Sequence, residues 1–265
     1  MNIFMREMKA HRKSLIFWCV GMIVMIISQM SKYTATSSDG QSLNTLMASM
    51  PKSMQAIIGS VSFDLSKLSG YYGMIFIYLA LIATIHAAML GADIISKEER
   101  DKTSEFLFVK PVSRNKVVTA KLSAAFVNII ILNIVTLITS IALAGKYSKG
   151  EPLTSVLFNL MLGMFVLQLI FMFLGTGIAA VSKNSKGASS LAMGILLTTF
   201  ILYNAIGMNS HLEGLKYLTP YKYFDAKNLN SNVGFESVFV ILSALIIVFL
   251  LGITYVFYRK RDLEV

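Results

Sequence analysis

The sequence predicts an all-α integral membrane protein with six transmembrane helices, an N-terminal interfacial helix and a short amphipathic helix in the loop between the second and third spans. Three observations predict this class. Hydrophobic residues make up 55% of the 265 residues and charged residues only 14%, whereas a soluble domain is about 25% charged. The mean hydropathy is +0.66. Six stretches are long and apolar enough to cross a bilayer.

The predicted spans follow from the length that a helix needs to cross the hydrocarbon, about 17 to 25 mostly apolar residues. They cover residues 15–31, 71–95, 122–144, 155–180, 188–207 and 238–258. The fourth is longer than the hydrocarbon is thick, so we expect it to tilt. The chain then divides into an interfacial helix, 1–14, and a membrane domain, 15–265. The membrane domain carries an inner loop, 96–121, and outer segments at 32–70 and 208–237.

The charge distribution predicts a multi-pass protein of the cell membrane with both termini in the cytoplasm. The net charge is +10, from 24 Lys and Arg against 14 Asp and Glu. Sixteen of these basic residues fall in the N-terminal segment, the second and fourth connections and the C-terminal segment, and eight fall in the others. Basic residues in short loops stay on the cytoplasmic side. Because the bases lie in short clusters between apolar runs, we expect no nucleic-acid partner and expect membrane lipid instead.

The first fourteen residues predict a helix that lies on the inner leaflet and leads into the first span. Phe4, Met8, His11 and Leu15 fall on one helical face, opposite a basic face. Two alternatives remain open. The basic start and the first apolar run are also compatible with a signal peptide cleaved near residues 35–37, or with a solvated helix start that needs no partner.

The inner loop 96–121 holds a charged segment followed by apolar anchors, Phe106, Leu107 and Val109, and then Pro111, which ends a helix. Glu98 and Lys102 are spaced i, i+4, so the helix would present fixed charges. Such a helix can lie in a groove of a soluble partner, with apolar anchors for affinity and charges for register. The alternative is a solvated connector.

The order of residues in this loop resembles a family signature. Glu98-Glu99-Arg100-Asp101-Lys102-Thr103-Ser104-Glu105-Phe106-Leu107, then Lys110-Pro111-Val112-Ser113-Arg114 and Lys121, is similar to the E-E-x-x-G-T-x-E-x-L run, P-V-S-R and following lysine of type-2 ABC transporter permeases. Weaker similarity extends along almost the whole chain. Lys102 stands where the family most often has glycine, which argues against a tight turn there but not against the helix.

The resemblance implies a six-span permease half whose inner loop is a coupling helix against an ATP-binding subunit. It assigns the coupling contact to Glu98, Glu99, Thr103, Glu105, Phe106, Leu107, Pro111 and Arg114. The chain itself contains no G-x-x-x-x-G-K-[ST], so we expect it to bind no cofactor and expect a separate subunit to use ATP and Mg²⁺. A second permease copy, or a related permease, would complete the translocation path.

Polar and small residues within the second span allow two interpretations each. His86 and Asp93 are two helical turns apart and share a face. In one interpretation both residues line a polar translocation path. In the other, Asp93 lies near the inner headgroups and His86 is hydrogen-bonded to a neighbouring helix. Ala83, Ala87 and Gly91 form a ridge of small residues, typical of a close-packing seam, with a dimer interface left open.

The sequence gives little support for a metal site or for an enzyme, and it leaves an outer gate open. Met47, Met50 and Met54 suit Cu(I), but without Cys or His beside them they predict an amphipathic helix, so we expect no metal site. No catalytic motif is present, so we expect no enzyme.

The last outer segment is expected to form an interfacial aromatic belt, with an outer gate as the alternative. Its aromatic residues are Tyr217, Tyr221, Tyr223 and Phe224.

Two other functions remain open beside the permease. A stand-alone channel or secondary carrier would be expected to show repeated halves and broken helices near the midplane, and the sequence has neither. A membrane scaffold or sensor that recruits a soluble partner would carry the same inner loop. Sequence does not separate this second alternative from a permease.

Overall fold

The computed structural model describes residues 2–38, 45, 49–51, 54–55, 63–65, 67–101, 113–147, 153–182, 187–230 and 234–260. All regular secondary structure in these ranges is helical. Six long helices, α1 to α6, are long and apolar enough to cross a membrane. Their bounds are α1 Ile3–Ser38, α2 Leu68–Arg100, α3 Arg114–Tyr147, α4 Thr154–Val181, α5 Ala188–Met208 and α6 Ser237–Lys260. The predicted all-helical class and the number of helices able to span a membrane are confirmed, whereas the interfacial helix and the coupling helix stay predictions.

Between α5 and α6 the chain forms three short helices. A 3₁₀ helix spans Ser210–Leu218, and two short α-helices follow at Pro220–Tyr223 and Ala226–Asn230. Pro220 stands in the first turn of its helix, where its missing N–H would have no partner in any case. These elements occupy the predicted outer segment 208–237.

α1 is one continuous helix of 36 residues, with no break at the predicted boundary between an interfacial helix and a span. At 1.5 Å per residue it extends about 54 Å, whereas the hydrocarbon core is about 30 Å thick. Several turns must therefore project beyond the hydrocarbon. His11 and Leu15 on the predicted apolar face are buried, and Phe4 and Met8 pack beside the core. This face contacts the protein itself, while interfacial binding of the N-terminal turns stays a prediction.

α2 and α4 form the centre of the bundle, and α1, α5 and α6 lie outside them. In their most apolar windows, 67% of α2 and 61% of α4 is buried, against about a fifth in α1, α5 and α6. The outward faces of the peripheral helices are apolar, as in Phe17, Ile201 and Phe249. Apolar outer faces around a packed centre are what a bundle in lipid requires.

We call the end of the bundle at which α1 begins, α2 ends and α3 begins the proximal end, and the opposite end the distal end. The C-terminus of α6 also lies at the proximal end, because the Arg114 guanidinium Nη1 donates to the Arg259 carbonyl at 2.8 Å. The predicted coupling loop connects α2 and α3 at this end.

Candidate functional site

The structure describes three of the eight residues predicted to form the coupling contact. Glu98 and Glu99 lie in the last turn of α2, and Arg114 begins α3. The other five lie outside the described residues: Thr103, Glu105, Phe106, Leu107 and Pro111.

Glu98 forms the centre of a buried ion cluster at the proximal end, with its carboxylate facing α1 and α3, and a contact with a partner stays a prediction. It is 7% exposed. Its Oε2 lies 2.5 Å from the Lys121 ammonium of α3, and its Oε1 accepts from Arg6 Nη2 of α1 at 2.9 Å. The physical reason is position: two residues before the end of α2, this face of the helix still packs against α1 and α3.

Lys121 is fully buried, with no exposed surface. Besides Glu98, its ammonium donates to the carbonyl oxygen of Ile94, one turn earlier on α2. A buried ammonium needs both an opposite charge and hydrogen-bond acceptors to offset the loss of water. Lys121 therefore fixes the first turns of α3 against the last two turns of α2.

Glu7 of α1 adds a second buried carboxylate to this cluster. It is fully buried, and its Oε1 accepts from Arg6 Nη2 at 2.9 Å. The His11 ring nitrogen Nε2 lies 3.8 Å from Glu7 Oε2, one helical turn further on. The cluster thus pairs two carboxylates, Glu7 and Glu98, with two cations, Arg6 and Lys121, and its formal charges balance.

Sequence reasoning missed Arg6 and Glu7 as members of the site, although a signal was present. Glu7 is the only acidic residue in positions 1–38. An acidic residue within a basic helix start has no role in positive-inside retention, since acidic residues contribute little to it. A charged partner within the protein was therefore to be expected for Glu7.

Glu99 and Arg114 lie at the margins of the cluster. Glu99 is half-buried at the end of α2. Arg114 is half-buried too, and its hydrogen bond to the Arg259 carbonyl satisfies one of the last backbone acceptors of α6. At one flank of the predicted coupling loop, Glu98 thus joins α2 to α1. At the other flank, Arg114 joins α3 to α6.

The structure does not bring His86 and Asp93 together. Asp93 is half-buried and pairs with Arg100, one of the last residues of α2. His86 is 3% exposed, and its ring lies 5.4 Å from the Trp18 ring of α1, centroid to centroid. Its Nδ1 has no hydrogen-bond partner among the described side chains and backbone. A role of His86 or Asp93 in a translocation path stays a prediction.

The ridge of Ala83, Ala87 and Gly91 packs within the chain, as a close-packing seam would, and a dimer contact along it stays a prediction. All three are buried. A Cβ at Gly91 would lie 2.1 Å from the Met172 carbonyl oxygen of α4, and one at Gly175 would lie 2.4 Å from the Ala88 carbonyl oxygen. Glycine is required at both positions because the two helix backbones touch there.

Amide side chains connect the central helices, in agreement with a packing role. The Asn133 amide of α3 donates to the Gln168 side-chain oxygen of α4, and Gln168 Nε2 donates to the Ala83 carbonyl of α2 at 3.4 Å. Asn128 Nδ2 donates to the Ala124 carbonyl within α3 at 2.8 Å and contacts the Met8 sulfur of α1 at 3.3 Å. These polar groups of the spans are turned toward one another rather than outward.

At the distal end the predicted aromatic belt is largely inside the protein. Tyr221, Tyr223 and Phe224 are buried, and Tyr217 is half exposed. The Tyr221 and Thr84 hydroxyls lie 2.6 Å apart, and the Tyr223 ring stacks on Phe239 of α6 at 5.0 Å. Burial raises the pKa of both Tyr221 and Tyr223, so these phenols stay neutral.

Little free space lies behind this aromatic cluster. The cavity lined by Phe76, Leu167 and Tyr221 measures about 20 Å³, room for a single water molecule. Within the described ranges, no group of three or more His, Cys, Asp and Glu side chains is placed to hold a metal ion. Of the methionines considered for copper, Met54 is exposed and Met47 lies outside the described residues.

A family model described as ABC-2 family transporter protein matches residues 1–263. No curated protein matches the chain.

Proposed function

The chain belongs to the ABC-2 transporter family, and from this premise we propose that it is the permease subunit of an ATP-driven exporter of the plasma membrane. Membership in this family implies a permease role, and six helices have the length and composition to cross a membrane. The single observation that carries the proposal is the match over residues 1–263, which includes the loop with the coupling signature.

In this proposal the loop 96–121 is the contact with a separate ATP-binding subunit. ATP and Mg²⁺ bind to that subunit, since the sequence has no phosphate-binding motif of its own. The apolar segment around Phe106 anchors the loop, and Glu99 and Glu105 set its register. Coupling requires that this contact differ in strength between the ATP-bound and ATP-free arrangements, because a contact of equal strength in both would transmit nothing.

The translocation path in this proposal runs between two permease copies, identical or related. Two observations support it. Asn133 of α3 binds Gln168 of α4, which binds the Ala83 carbonyl of α2, and the cavity near Tyr221 holds only about one water. The exposed apolar faces of α1, α5 and α6 are available for lipid and for a second copy.

The orientation in this proposal places the proximal end in the cytoplasm with both termini. Its support is the distribution of basic residues, sixteen of 24 in the segments assigned to that side. An ATP-binding subunit is reached only from there.

The experiment that tests the proposal is isolation of the protein from its native membrane, followed by assays for a bound ATPase and its activity. Glu99→Lys combined with Glu105→Lys should abolish both the association and the ATPase activity of the complex, with membrane insertion unchanged. Glu213→Lys, a charge reversal on the exposed 3₁₀ helix at the distal end, is the matched control and should retain both. Isolation of the natural protein without an ATPase, or full activity in the double variant, would contradict the proposal.

A further inference from the structure

The ion cluster at the proximal end joins three helices at the base of the predicted coupling loop. Glu98 lies two residues before the end of α2 and Lys121 two turns after the start of α3, so this pair closes the two flanks of the loop. Arg6 brings in α1 through its bond to Glu98. A displacement of the loop at its α2 flank therefore reaches the cluster through the last turn of α2.

Arg6 is the member that connects the two carboxylates. Its Nη2 lies 2.9 Å from Glu98 Oε1 and 2.9 Å from Glu7 Oε1. A planar guanidinium presents several N–H donors in a fixed geometry, which suits bridging of two acceptors, whereas a lysine ammonium acts as a point charge. Arg6 thus holds the start of α1 to the end of α2 through a directional contact.

The remaining contacts of α1 do not replace this one. α1 packs mainly along α3 and meets α2 at few positions. One of these is the stacking of Trp18 on His86, about three turns away from Arg6 along α1. At the proximal end itself, the Arg6 guanidinium of α1 binds a carboxylate in the last turn of α2.

Stability alone does not account for such a cluster, because apolar residues of similar volume commonly stabilise a buried site as well or better. Buried ion pairs are better at fixing the register of one element against another. The cluster lies at the charged proximal ends of α1, α2 and α3, next to the segment on which the partner is proposed to act.

We propose that Arg6 is a positioning residue that transmits displacement of the loop 96–121 to the first span through Glu98. The inference rests on the proposed function, since it needs an ATP-binding subunit to move the loop. Lys121 keeps the two flanks of the loop together, and Arg6 makes α1 move with them. Without Arg6 the loop still responds to the subunit, but α1 no longer follows.

The test uses hydrogen–deuterium exchange on the complete complex, with and without a non-hydrolysable ATP analogue. In the natural protein, the analogue should change exchange over both 96–121 and 2–14. In Arg6→Gln, the change over 96–121 should persist and the change over 2–14 should shrink by about twofold or more. Arg6→Lys, which keeps the charge but not the planar fork, should fall between the two.

The matched control is Lys9→Gln, which removes the same charge from an exposed position of the same helix and should behave as the natural protein does. Thermal unfolding separates transmission from a purely structural role: a lower unfolding temperature of Arg6→Gln with an unchanged nucleotide response over 2–14 would overturn the inference. Should Arg6→Gln fail to insert, the comparison of Arg6→Lys with Lys9→Gln decides in the same way. Absence of any nucleotide response over 96–121 in the natural complex would overturn the proposed function, and the inference with it.

Discussion

The Lys121 ammonium of α3 lies 2.5 Å from the Glu98 carboxylate of α2, and neither side chain is more than 9% exposed. The contact joins the two helices that flank the loop 96–121. Both charges have left water to make it, so each depends on the other and on nearby hydrogen bonds for compensation.

Replacement of one partner of this ion pair should strongly lower the stability of the protein. We expect Lys121→Met or Glu98→Gln alone to destabilise the protein by about 3 to 5 kcal/mol, because each leaves an uncompensated buried charge. The double variant Glu98→Gln, Lys121→Met should recover much of that loss, in a double-mutant cycle followed by unfolding in detergent. The control is Lys222→Met, which breaks the more exposed pair with Asp225 and should cost about 1 kcal/mol or less. Single variants as stable as the natural protein would contradict this account of the cluster.

Close contact between α2 and α4 predicts a strong effect of a single methyl group. Gly91→Ala and Gly175→Ala would each bring a Cβ within 2.4 Å of a backbone oxygen of the facing helix, so the helices must separate. We expect a loss of about 1 to 3 kcal/mol or more for each, measured as a lower unfolding temperature. Gly194→Ala on α5 meets no atom within 4 Å and should stabilise α5 slightly, by up to about 1 kcal/mol. Equal stability of the three variants would show that α2 and α4 do not approach this closely.

The distal aromatic cluster predicts a difference between two tyrosines. The Tyr221 hydroxyl is buried and hydrogen-bonded to Thr84 at 2.6 Å; Tyr221→Phe removes this bond and should cost about 1 kcal/mol of stability. The Tyr217 side chain is half exposed, so Tyr217→Phe should be close to neutral. Thermal unfolding of the two variants in the same detergent measures the difference. A larger loss of stability for Tyr217→Phe than for Tyr221→Phe would show that the Tyr221–Thr84 hydrogen bond is not the one that stabilises this cluster.

The fold was largely predictable because hydropathy reports directly on helices that must satisfy their own backbone in lipid. The fourth span, predicted over 155–180, is found at Thr154–Val181, and the fifth, predicted over 188–207, at Ala188–Met208. The ends of α1, α2 and α3 were predicted less well. Their charged turns continue as helix beyond the hydrocarbon, where apolar composition no longer marks them.

The site was predictable only in part, because a sequence motif gives the order of residues but not the direction of their side chains. The signature placed Glu98 in a surface contact, whereas packing of α1 against α2 and α3 turns it inward to Arg6 and Lys121. The ridge at Gly91 was identified by its spacing, yet its partner Met172 on α4 is a long-range contact without a local signal.

The proposed orientation of the protein in the membrane can be tested without the ATP-binding subunit. In a Cys19→Ser background, a cysteine at Lys116 near the start of α3 should react with a membrane-impermeant thiol reagent only after the cells are opened. A cysteine at Lys216 in the 3₁₀ helix should react in intact cells. The expectation follows from the excess of basic residues at the proximal end. Labelling of the Lys116 position in intact cells would place the loop on the wrong side for an ATP-driven partner.

The most direct test of the central claim is a photo-reactive amino acid at Phe106, the proposed anchor of the coupling loop, with the same group at the exposed Tyr217 of the distal end as control. Irradiated membranes should yield a covalent adduct between the Phe106 position and an ATP-binding subunit, and its amount should change when ATP is added. The Tyr217 position should give no such adduct. Capture of no ATP-binding protein at Phe106, in membranes where the chain is inserted, would contradict the account.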